Sequence, residues 1–170
     1  MFAIEKYDDE GLYCTFYTVR KEDAEFSETD KFLNKYKDNV KFKRSLQELF
    51  IFITNQIGNK HGALEEFFRF ENNANALPPT GKHKIDEIYI NYRNFPLRLY
   101  CLRISKNLVV LFNGAEKTSS TAQNGKTSMV FQEANSFSLA ILEALKLKQI
   151  YITPNKREFV TFDNQDEIYL

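Results

Sequence analysis

Apolar residues recur in two rhythms along this chain, and the rhythms divide it into blocks. The first block, residues 2–19, alternates on a period of two: "FAIEKY" and "LYCTFYTV" are aromatic and β-branched, and "DDEG" between them supplies a turn. A β-hairpin is expected. Ser27 followed by Asp30 has the spacing of a helix N-cap, so a short helix is expected over residues 28–36. The rhythm then changes. Phe42, Leu46, Leu49, Phe50, Ile53 and Ile57 fall at spacings of four, three, one, three and four, which is one face of an α-helix, and Gly58 and Gly62 mark its end.

Residues 64–84 are less regular. "FFRF" fits a strand or a helix end, and "NNANALPPTG" reads as a loop broken by Pro78, Pro79 and Gly81. Three strand-like runs follow, "IDEIYINY", "LRLYCLRI" and "LVVLF", with "RNFP" as the turn before the second. A polar stretch, "NGAEKTSSTAQNGKTS", leads to a helix over residues 131–148. Its apolar face carries Ala134, Phe137, Ala140, Ile141, Ala144 and Leu145, widened by Leu139, Leu142 and Leu147. So wide a face predicts that a second chain, either another copy or a different protein, covers part of it. The tail from about residue 149 predicts one short strand. Blocks of strands and helices, not a strict alternation, predict an α+β fold: an antiparallel β-meander over residues 85–112, packed by helices.

Composition narrows the class. The chain has 170 residues, enough for a single domain, and 43% of them are hydrophobic. No apolar run reaches the roughly 18–20 residues of a membrane helix, so no membrane is expected and the cytoplasm is the expected compartment. Cys14 and Cys101 sit in strand-like runs and read as reduced, buried thiols. Two Cys and two His without ligand spacing predict neither metal nor cofactor.

Charge adds an asymmetry that the zero net charge conceals. Residues 1–30 hold 3 basic and 9 acidic residues, whereas residues 81–130 hold 8 basic and 3 acidic. The second segment suits an anion such as nucleic acid. Within it, "GKHK" offers Lys82, His83 and Lys84, and Arg93 and Lys117 follow. His83 is the better general-base candidate of the two histidines because of its cationic neighbours and the later Tyr89 and Tyr92, whereas His61 follows a helix end and simply complements its dipole. An exposed loop is the competing role for His83. Tyr89, Tyr92 and Tyr100 could stack on bases, against core packing as the default. Arg98 and Arg103 are an odd number of residues apart and so point to opposite faces of a strand. The G-K-T near Lys126 lacks the upstream glycine of a phosphate loop.

One local motif carries a family likeness. Arg98 and Tyr100 precede Val109, Val110 and Leu111; a bend at Gly114 follows, then Lys117 and Thr118. With the order of strand, two helices, meander and helix, this resembles the RelE/ParE superfamily of bacterial toxins, including its HigB branch. The resemblance implies a ribosome-dependent mRNA endonuclease that needs no metal. The ribose 2′-OH attacks the neighbouring phosphate, Arg98 clamps that phosphate and Lys117 stabilises the developing charge. Lys82, Lys84, Arg93 and Tyr100 would hold the RNA. It also implies a cognate antitoxin. A non-catalytic binding module on the same scaffold, gyrase-poison-like or regulatory, is the alternative. Arg98 has a structural role in competition too: a charge on an edge strand that keeps the sheet soluble.

Overall fold

A computed structural model of the chain describes residues 1–117 and 128–170. The chain opens with a hairpin of β1 (Phe2–Asp8) and β2 (Thr15–Lys21). Helix α1 (Glu28–Tyr36) starts where the Ser27 hydroxyl oxygen accepts from the Asp30 backbone N–H at 3.1 Å. Helix α2 (Lys43–Ile51) runs directly into a π-helical stretch, Phe52–His61, which ends at Gly62 with φ of 76°. After a 3₁₀ turn (Glu65–Phe67) come β3 (Arg69–Glu71), β4 (Ala74–Leu77), β5 (Lys82–Ile85), β6 (Ile88–Asn91), β7 (Leu97–Ser105) and β8 (Leu108–Glu116). Helix α3 (Ser128–Lys146) and three two-residue strands, β9 (Tyr151–Ile152), β10 (Phe159–Val160) and β11 (Ile168–Tyr169), complete it.

Seven strands form the main sheet in the order β11-β1-β2-β8-β7-β4-β3. All its pairs are antiparallel except β2 with β8, which is parallel. Parallel neighbours need a long crossover, and here everything between β2 and β8 supplies it. The fold is therefore mixed α and β, and the expected meander needs correction. "IDEIYINY" is not a strand of the main sheet. It is divided between β5, a turn at Asp86 (φ 53°), and β6, and these two pair only with each other. Its expected place beside β7 is taken by β4, drawn from the stretch read as a loop.

Each face of the sheet has its own core. Leu97, Leu99 and Cys101 of β7 and Val109 and Leu111 of β8 meet the helical face of Phe42, Leu46, Leu49, Phe52, Ile53 and Ile57. The alternate residues, Tyr100 and Leu102 with Val110 and Phe112, meet Phe131, Ala134, Phe137 and Ile141 of α3. Fully burying each such side chain is worth about 1.5–3 kcal/mol. Both cysteines are free and buried, and burial pushes the Cys14 thiol from its ordinary 9.0 up to about 12. On α3, the chain buries Phe137 and Ile141 itself, while Leu139 and Leu142 remain 51% and 42% exposed. No helix among the described residues is long and apolar enough to cross a membrane.

Gly114 does not end a strand, as the sequence suggests. β8 continues to Glu116, and Gly114 lies at a register shift where β7 and β8 crowd together. A Cβ there would collide with the Arg98 carbonyl oxygen, so the position requires glycine.

Candidate anion site

The cationic residues singled out in the sequence divide into three groups. The first group converges. The "RNFP" turn folds back so that the Tyr92 N–H donates to the Gly81 carbonyl at 2.8 Å and the Lys117 N–H to the Pro96 carbonyl at 2.8 Å. Asn94 takes the left-handed conformation that this turn requires, φ 58°. Arg93, Lys117 and Arg69 thereby come to line one small cavity of about 90 Å³ at the end of the sheet, with Thr80 and Tyr92. At about 30 Å³ per water, this is room for roughly three waters or one compact anionic group. Among the described residues, no carboxylate lines it. Burial, with some help from Glu48, pushes the Tyr92 phenol up to about 12, so it stays protonated at neutral pH.

The second group is Arg98 with its surroundings. Arg98 is 1% exposed, so the RNA-clamping role expected of it does not fit its position: it points inward on β7, on the face covered by α3. Its Nη1 lies 3.9 Å from Glu71 Oε1, and the same oxygen is 3.2 Å from Arg69 Nη2. Arg98 Nε and Nη2 have no hydrogen-bond partner. Two guanidiniums thus share one carboxylate. Burial, and next the charge of Arg98, push the Arg69 guanidinium below its usual range. This excess positive charge stands behind the Arg69 wall of the cavity.

The third group stands apart. Lys82, His83 and Lys84 are exposed on β5 and do not line the cavity. Tyr100 cannot stack on a base as expected: it is fully buried, 5.5 Å from the Phe131 ring. Arg103 faces the opposite side from Arg98, as the odd spacing predicts. Its Nε donates to the Ala63 carbonyl at 2.6 Å and anchors the chain after the π-helical stretch. His61 does more than complement a helix end, since its Nδ1 meets Asp86 Oδ2 at 2.9 Å and ties the β5–β6 hairpin to that stretch. Thr118 and Lys126 lie outside the described residues.

Arg69 and Glu71 are the residues that the sequence reading missed. The signal was present in "FFRFE": on a strand, residues two apart share a face, so an Arg and a Glu there form a lateral pair. No family, no curated protein and no solved structure matches the chain.

Proposed function

We propose that the chain is the RNA-directed toxin of a toxin–antitoxin pair, of the RelE/ParE kind. In this reading it holds an RNA phosphate in the cavity lined by Arg69, Arg93 and Lys117. One observation carries the proposal: three separate segments bring cations to a single phosphate-sized cavity that, among the described residues, no carboxylate lines. The chain order of hairpin, two helices, antiparallel strands and helix supports it.

The chemistry follows from the residues. The two guanidiniums offer forked donors to phosphate oxygens, and Lys117 adds a point charge. Together they stabilise the extra negative charge of a phosphorane formed as the 2′-oxygen bonds to phosphorus and its proton passes to water. Tyr92, a protonated phenol on the same cavity, donates a proton to the departing 5′-oxygen. Arg98 does not touch the RNA. The antitoxin covers the exposed Leu139 and Leu142 strip of α3.

A second reading has its own support. Among the described residues, no imidazole lines the cavity either, and such a site binds phosphate without taking the ribose proton. Under it the chain is a non-catalytic binding module. Cleavage of mRNA on translating ribosomes, with wild type, Arg93→Ala and Lys117→Ala, separates the two. Loss of one preorganised donor lowers a cleavage rate by about 10²–10³. RNA binding without cleavage by wild type selects the binding module. A folded protein that neither binds nor cleaves RNA ends both readings.

A further inference from the structure

The β1 edge of the main sheet is closed along only part of its length. The Phe2 N–H donates to the Leu170 carbonyl at 2.8 Å, and the Phe2 carbonyl accepts from the Leu170 N–H at 2.9 Å. Strand β11 then pairs with Ala3 and Ile4 and goes no further. Backbone groups alternate sides along a strand, so Phe2, Ile4 and Lys6 all turn their N–H and C=O outward. At Lys6, among the described residues, no strand meets them. The chain leading into β11 swings away here and leaves a cavity of about 420 Å³, lined by Lys6 and Glu5 of β1, by Glu158 and by Asp166 and Glu167.

The charge around this open edge says what fits it. Glu5 is held by Arg20 at 2.7 Å and Glu158 by Lys6 at 2.6 Å. Among the described residues, Asp166 has no partner, and Glu167 accepts from the Tyr169 hydroxyl at 2.6 Å with no cation beside it. Two exposed carboxylates therefore stand uncompensated next to an unpaired strand edge. An extended segment carrying cations satisfies both needs.

The same chain presents such a segment. Strand β5 pairs with β6 alone, so its other side is open. It has four residues, the length of β1 that β11 leaves uncovered, residues 5–8. Lys82 and Lys84 are two apart and share a face, both are exposed, and among the described residues neither meets a carboxylate. The hairpin's own carboxylates, Asp86 and Glu87, lie in its turn, and Asp86 is held by His61. Lysines on an edge strand prevent it from pairing with a like strand. They do not prevent pairing with an edge framed by carboxylates.

We infer that the chain assembles head to tail: β5 of one copy adds to the open edge of β1 in the next, with Lys82 and Lys84 facing Asp166 and Glu167. Zero net charge removes long-range repulsion between copies, and the division of charge between two surfaces favours this arrangement over like-to-like contact. The two surfaces differ, so each added copy leaves one of each free, and growth continues until a ring closes or an open chain forms. None of these residues lines the cationic cavity, so the contact is independent of the phosphate reading.

The test is sedimentation velocity of the full chain across a range of concentrations, at low and at high salt. At low salt the mean mass of wild type rises with concentration, and at high salt it returns to that of the monomer. Lys82→Glu with Lys84→Glu is monomeric, because an acidic strand faces an acidic groove. Asp166→Lys with Glu167→Lys is monomeric for the opposite reason. All four positions are exposed, and circular dichroism confirms that each variant is folded. An equimolar mixture of the two double variants assembles again, because each now meets its complement. That recovery is what a fold defect in either variant would not give. Wild type that stays monomeric at every concentration in low salt overturns the inference. So does a mixture that stays monomeric when wild type assembles. Assembly that both charge swaps leave intact belongs to another face, such as the exposed strip of α3, and overturns it as well.

Discussion

Near the edge where β1 and β11 close the sheet, each cation stands opposite its own carboxylate: Lys6 with Glu158, Arg20 with Glu5, Lys21 with Glu133. At the other edge, Arg69 and Arg98 share Glu71, while Arg93 and Lys117 line a cavity that, among the described residues, no carboxylate lines. The proton affinities shift in opposite directions. Hydrogen bonds donated to Glu158 and Glu133 raise Lys6 and Lys21 above the ordinary lysine value, so their charge is stabilised. Burial and then Arg98 lower Arg69, so its charge is held at a cost. A chain with zero net charge has enough carboxylates to pair every cation. Their concentration at one edge leaves the other with a local excess of positive charge, which is where an anionic ligand has most to offer. The comparison also says why net charge was a poor guide: the quantity that matters is charge per site.

The comparison breaks most visibly at Glu71. Glu71→Ala strips the shared carboxylate from two largely buried guanidiniums, and removing one partner of a buried pair typically costs about 3–5 kcal/mol. Urea denaturation of the variant should show a loss of that size, partly restored by added phosphate if the anion site is real. A loss under about 1 kcal/mol would mean that Arg69 and Arg98 do not depend on Glu71, and the contrast between the edges would fail.

High pH probes a different part of the molecule and isolates the edges from the core. Burial raises the Tyr7 and Tyr92 phenols from 10.0, and the Cys14 thiol from 9.0, each to about 12. The unfolded chain therefore releases these protons first. It binds fewer protons than the native state between about pH 9 and 12, so stability falls with rising pH across that window. The lysines at the paired edge work in the same direction, because a raised lysine contributes stability below its unfolded value and loses it as pH rises through the folded one. Thermal melts from pH 8 to 11 should fall steadily above pH 9. A flat profile would mean that these groups are open to water.

How much of this could be read from the chain depends on how local each signal is. The Ser27 cap and the apolar face of α3 are set by residues within one or two turns and appear where expected, whereas the Phe42–Ile57 segment is α-helical only to Ile51, continues as a π-helical stretch over Phe52–His61, and runs through Gly58 to end at Gly62. Strand β4 was hidden because its sequence, "ANAL", looks like a loop. Asn75 is buried, and its Oδ1 accepts from the Arg103 N–H at 2.9 Å, a polar side chain doing a backbone's work. The parallel β2–β8 pair joins residues more than ninety positions apart, such as Thr15 and Leu108, and no local pattern encodes it. The tail strands are two residues long, too short for a period. At the candidate site, Lys117 and Arg93 were legible as cations in a basic segment, whereas Arg69 was concealed among aromatics. The burial of Arg98 follows from which face of β7 lies under α3, which is a fact of tertiary packing.

Arg98 itself gives a smaller effect, and one whose sign is informative. Arg98→Met keeps the volume and removes a buried cation with two unpartnered nitrogens, while Glu71 retains Arg69. Replacing a buried charge by a well-packed apolar side chain is often neutral or stabilising. Arg98→Met should leave stability unchanged or raise it by about 1 kcal/mol in a chemical melt, and should weaken RNA binding only moderately by lowering the positive charge behind Arg69. A loss of several kcal/mol would show that Arg98 is a structural linchpin and not a charge held at a cost.

The smallest effect belongs to the paired edge. Lys6 and Glu158 meet at 2.6 Å, but their side chains are 40% and 41% exposed, so water and salt screen the attraction. Glu158 is also tied down by its backbone, whose N–H reaches the Thr153 hydroxyl at 3.1 Å and whose carbonyl accepts from the Thr153 N–H at 2.9 Å. The segment therefore keeps its place when the side chain is neutralised. Glu158→Gln should change stability by about 0.2–1 kcal/mol at most, the range for exposed pairs, and the change should shrink as salt rises. RNA binding should improve or stay level, because the substitution removes a negative charge far from the cationic cavity. Paired melts at low and high ionic strength measure the first effect and a titration the second. If Glu158→Gln destabilised the chain as much as Glu71→Ala, the two edges would differ only in exposure, and the excess positive charge at the β3–β4–β7 edge would lose its meaning as the mark of a site.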